Sequence, residues 1–108
     1  MRDGAMIQLR KLADYLEDIL EFDRRGDYAA RECAVLSAVG TARRIGYDAG
    51  FRIDPKEPTW PVAFIQLPTG QVSWHMPGFP FEWDGHGLDE KNARVKAFIA
   101  SMKVRNQP

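Results

Sequence analysis

Residues 71–87, QVSWHMPGFPFEWDGHG, hold both histidines and two of the three tryptophans of a 108-residue chain. Within and just after this stretch lie His75, Trp83, Asp84, His86, Lys91 and Arg94, the side chains best suited to chemistry. Three uses compete. In the first, the aromatic loop is only packed, with Asp84 and His86 fixing its turn by hydrogen bonds. In the second, the six residues form a binding surface. Trp83 would stack on a ring, His86 and Arg94 would hold phosphate or carboxylate, and Asp84 would orient His86. The start of the following helix adds free amides and a favourable dipole for an anion. The same surface could instead be covered by an acidic protein partner. In the third, His75, His86 and Asp84, with Asp89, hold a divalent ion and a carboxylate activates water for hydrolysis.

Nothing in the spacing selects the hydrolase. The histidines are eleven residues apart, and HExxH and CxxC motifs are absent. No Ser or Cys nucleophile signature accompanies them, and no Gly-rich loop offers to cradle phosphate. Ser73 and His75 share a face at i, i+2, a pairing common by chance. The expectation is therefore a binding site at His75, Trp83, Asp84, His86, Lys91 and Arg94. It has no catalytic residues, resident metal or cofactor, and the metal hydrolase is the alternative.

The elements that must position these residues follow from periodicity. Leu9, Leu12, Leu16 and Ile19 recur at helical spacing, widened by Leu20 and Phe22, opposite Asp14, Glu17, Asp18 and Glu21. Gly26 suits a left-handed cap, and Asp27 suits the N-cap of a second helix. That helix is predicted to bury Ala29, Cys33, Leu36 and Val39, with Val35 and Ile45 beside them, and to end at Gly46. The leucine stripe of the first helix predicts core packing, with a homodimer seam as its other use.

After Gly50 the period becomes two. FRID reads as a strand and PKEPTWP as a loop. VAFIQL reads as a central strand, with Ala63, Ile65 and Leu67 on one face and Val62 and Phe64 on the other. QVSWHM follows a PTG turn, with Trp74 directed opposite to His75. Pro77 and Pro80 end that strand, and the rings of Phe79, Phe81 and Trp83 predict a loop that folds back. A last helix over 88–102 buries Val95, Phe98, Ile99 and Met102. The order is α-α-β-β-β-α: a single α+β domain over 1–108, with a helical hairpin, a three-stranded antiparallel sheet and a C-terminal helix.

Composition narrows the partners. The formal net charge is zero, which gives no general attraction to nucleic acid or membrane. The Arg pair in TARRIGY is too little to predict a nucleic-acid partner. Charge is nevertheless segregated. Acids crowd residues 14–27, and no acid follows Glu90. No apolar run nears the ~18 residues that span a bilayer, and no leader pattern opens the chain. The single cysteine, Cys33, excludes an intrachain disulfide and reads as a buried thiol. A cytoplasmic protein is expected.

The run Trp83-Asp84-Gly85-His86, followed by Glu90, Lys91 and Arg94, resembles a group of small bacteriophage and prophage proteins. They share W-D-G-H and an E-K-x-x-R helix start. Upstream QVSWH, residues 71–75, fits the same pattern, so the resemblance spans roughly the final third of the chain. This chain departs at Gly87 and Leu88, where the pattern has a Ser or Thr helix cap. The resemblance implies an accessory role, such as countering host defence or redirecting a host protein, with a host protein or small anionic ligand as partner.

Overall fold

The computed structural model describes the backbone of residues 2–55, 57–76 and 88–105 and the side chains of 6–53, 55, 61–76 and 90–102. Helix α1 is Arg2–Arg25 and helix α2 is Tyr28–Ile45. The turn between them is built as its residues predict. Gly26 takes φ 72°, and the Asp27 amide donates to the Phe22 carbonyl at 3.0 Å. The Asp27 carboxylate then accepts from the Ala30 amide at 3.2 Å. Gly46 ends α2 at φ 105°, with the Tyr47 amide donating to Ala42 at 3.0 Å. These are left-handed caps that satisfy end carbonyls, and only glycine adopts them without strain.

The stripe of α1 is core. Leu12, Leu16 and Ile19 are buried, with Leu9 and Leu20 packed at its edge. It faces α2 and α3. An ion pair ties the hairpin: Arg31 Nε lies 2.7 Å from Asp23 Oδ1, both largely out of solvent. The contact is not aligned as a hydrogen bond.

The buried side of α2 differs from expectation. Arg31, Ala34, Val35, Ala38, Val39, Thr41 and Ala42 are buried, whereas Ala29, Cys33 and Leu36 are exposed. Helix α2 packs on two partners, α1 and the sheet. The arc between those contacts is centred on Val35, Ala38 and Ala42, and Cys33 lies outside it. The buried thiol is thus corrected to an exposed one.

Strands β1 (Ala49–Asp54), β2 (Glu57–Leu67) and β3 (Gly70–His75) form an antiparallel sheet in that order. Strand β2 is central, and it extends back through Pro58 and Pro61 into the stretch read as a loop. Pro61 still accepts from the Met76 amide at 2.8 Å, so only the bond it would donate is missing. Ala63 lies between Phe51 and Trp74, and Ile65 between Ala49 and Val72. This face meets α2 and α3 (Leu88–Arg105). Ala63, Ile65, Leu67, Val72, Trp74 and Met76 there join Val95, Phe98, Ile99 and Met102 in one apolar cluster. The α+β order α-α-β-β-β-α is as the sequence predicts. No helix among the described residues is long and apolar enough to cross a membrane.

Candidate functional site

Period two sends alternate residues to the sheet's other face. There the cross-strand rows are Arg52–Val62–His75 and Gly50–Phe64–Ser73, followed by Gln66–Gln71. No described helix packs on this face. The Arg52 guanidinium carbon lies 5.4 Å from the centroid of the Phe64 ring. Arg52 Nη1 also approaches Gln71 Oε1 at 3.4 Å. Phe64, Gln71, Ser73 and His75 are half-buried, and Arg52 is exposed. A cation above an aromatic face, flanked by amide, hydroxyl and imidazole, is a surface that can stack a planar ring and attract negative charge.

Among the described residues, His75 is the one predicted site residue on this face. Lys91 and Arg94 turn to the edge of β3 instead. The Lys91 ammonium is buried, donates to the Ser73 carbonyl at 3.2 Å and sits 5.7 Å from the Trp74 ring centroid. Arg94 Nη1 donates to the Gln71 carbonyl at 2.7 Å. The Arg94 stem crosses Gly70, where an added Cβ would stand 2.7 Å from Arg94 Cδ. The Thr69 hydroxyl donates to the Arg94 carbonyl at 2.7 Å. Both cations therefore fasten α3 to strand carbonyls. Trp83, Asp84 and His86 lie outside the described residues, as does the Asp89 side chain. Among the described residues no three metal-binding side chains gather.

Arg52, Phe64 and Gln71 were not singled out by sequence reasoning. The signal was present: period two sets Phe64 opposite the core-facing residues of its strand. Only the register between strands places Arg52 above it.

Two shallow hollows are lined by described residues, the first of them reaching Phe64. One, of about 470 Å³, follows the β1 edge between Arg43, Tyr47, Asp48, Gly50, Phe51 and Phe64. The other, of about 630 Å³, lies between α1 and α3 and mixes Glu17, Asp18 and Glu21 with Arg24 and Lys96. Hydrogen bonds from Arg24 and then Arg25 hold the Glu21 carboxyl down at about 2. Compared with known proteins, the chain matches no family model, no curated protein and no solved structure.

Proposed function

We propose that this protein acts by binding, and that its ligand is an anionic, ring-bearing molecule of nucleotide type held on the outer face of the sheet. The observation carrying this reading is Arg52 above Phe64 on a face against which no described helix packs. A base stacks on an aromatic ring at a gain of roughly 1–3 kcal/mol, and here it takes the half-buried Phe64 face over which Arg52 lies, moving the guanidinium aside. The Arg52 guanidinium then meets phosphate, and Gln71, Ser73 and His75 supply polar contacts along the same face. The anionic ligand is the one expected from the sequence, and His75 is common to both placements. In a phage accessory protein, such binding would withdraw a nucleotide from a host defence system.

The test is a thermal-shift screen of linear and cyclic nucleotides. A ligand that binds only the folded state at a hundred times its Kd adds about 2.7 kcal/mol, a shift of several degrees. Arg52→Gln and His75→Ala should remove the shift, and His75→Ala should leave the unliganded melting temperature close to that of the parent. Failure of every nucleotide to shift it, or a shift indifferent to Arg52, would overturn the reading.

A further inference from the structure

The two edges of the sheet are treated differently, and the difference points to a second copy of this chain. In an antiparallel ladder, alternate residues direct their main-chain groups toward the neighbouring strand and the rest away from it. At β3, Met76 bonds to Pro61, so Gln71, Ser73 and His75 point outward. Arg94 and Lys91 take the Gln71 and Ser73 carbonyls. At β1, the Gln66 amide donates to the Asp48 carbonyl at 2.8 Å. That fixes the opposite phase: Ala49, Phe51 and Ile53 point outward. No hydrogen bond from a described residue meets their main-chain groups. Phe51 and Ile53 are 51% and 60% exposed. An uncovered edge carrying apolar side chains is a template for another strand.

We propose that two copies pair antiparallel through β1, with the two-fold axis at Gly50. Register and charge select this arrangement. Centring on Gly50 sets Ala49 opposite Phe51 of the second copy, so outward groups bond outward groups. It also sets Arg52 opposite Asp48, both exposed, in two symmetry-related pairs of opposite charge. Centring on Arg52 would oppose two arginines, and centring on Phe51 would oppose Asp48 and Asp54; like charges directly opposed destabilise a strand pair. The hollow beside Asp48 and Gly50 gives the incoming Arg52 room.

Helix α2 continues the surface. Ala29, Cys33, Leu36 and Arg43 are exposed along one stripe. Arg43 Nη1 comes within 3.9 Å of where a Gly50 Cβ would stand, so this stripe borders β1. The pair would form a six-stranded sheet whose outer face joins two Arg52–Phe64 platforms. The pairing itself does not depend on what those platforms bind.

Sedimentation velocity of the full chain without nucleotide, across the micromolar range, is expected to show a particle of twice the 12.3 kDa chain. Ile53→Lys should abolish the dimer with an unchanged circular dichroism spectrum. Arg52→Glu should also abolish it, and adding Asp48→Lys should restore it by reversing both charges. Amide exchange gives an independent readout: the Ala49 and Phe51 amides should slow as concentration rises. A monomer at every concentration overturns the proposal, as does a dimer indifferent to Ile53→Lys. Failure of the charge swap to restore pairing, or unprotected Ala49 and Phe51 amides in a dimer, overturns the register.

Discussion

Lys91 illustrates how a surface-type residue becomes structural. Its stem crosses the Trp74 ring and its ammonium meets the Ser73 carbonyl, so little water reaches it. Lys91→Met keeps the stem and removes the donor. Leaving a carbonyl without its partner costs about 1–3 kcal/mol, which urea unfolding should register as a lower midpoint at constant slope. Nucleotide affinity should hardly change; a loss of affinity at full stability would return Lys91 to the binding surface. Glu21 gives a prediction with the opposite environment, since its carboxylate lies at the surface between two exposed arginines. Its pKa falls from 4.5 to about 2 because Arg24 and Arg25 hydrogen-bond the ionised carboxylate. A carboxyl lowered in the folded state stabilises at pH above 4.5, and this contribution disappears as pH falls through about 2. Solvent and salt screen such a pair, so the effect on stability is small. The direct check is an NMR titration of the Glu21 carboxyl, whose midpoint should move back toward 4.5 in Arg24→Ala/Arg25→Ala.

The α1–α2 hairpin combines features of very different legibility. Its Arg31–Asp23 pair is nearly dry, with side-chain exposures of 1% and 14%. Arg31→Met removes the cation 2.7 Å from the Asp23 carboxylate and is expected to cost about 3–5 kcal/mol. Asp23→Leu/Arg31→Met removes both charges and should cost clearly less, a non-additivity that denaturant unfolding of the three variants measures. Gly26, Asp27 and Gly46 were legible because a cap is a local solution: the orphan amides and carbonyls lie within a few residues. The face of α2 was not. An Ala-rich helix offers small or apolar residues on every side, so Ala29, Cys33 and Leu36 compete evenly with Ala34, Ala38 and Ala42. Only the positions of α1 and the sheet decide. Strand β3 shows the same division. Alternation correctly sends Trp74 inward and His75 to the other face, since period two is intrinsic to the strand. The attachment of Lys91 and Arg94 to Ser73 and Gln71 needs the register of β2 against β3 and the path of α3, which no local pattern contains. The Arg52–Phe64 contact escaped for that reason also.

At the scale of the whole molecule, α2 and α3 on one face of three strands, with α1 packed against them, leave two edges, and the chain must keep both from pairing at random. Helix α3 closes the β3 edge with cations, whose charge also opposes association. Lys91→Leu/Arg94→Leu would expose the Gln71 and Ser73 carbonyls and replace two charges with apolar stems. Two consequences follow, and they are separable. Loss of two charge-assisted bonds lowers stability by roughly 1.5–3 kcal/mol each. Opening the edge adds a route to intermolecular strand pairing that lost stability alone does not create. The control is therefore a core variant, Val95→Ala, at a temperature where both proteins are equally unfolded. Light scattering should rise sooner and more steeply with concentration in the Lys91/Arg94 variant than in that control. Equal scattering would mean that the cations only hold α3 in place. Earlier scattering would show that they also keep the β3 edge closed to other chains, so that ordered pairing is confined to β1.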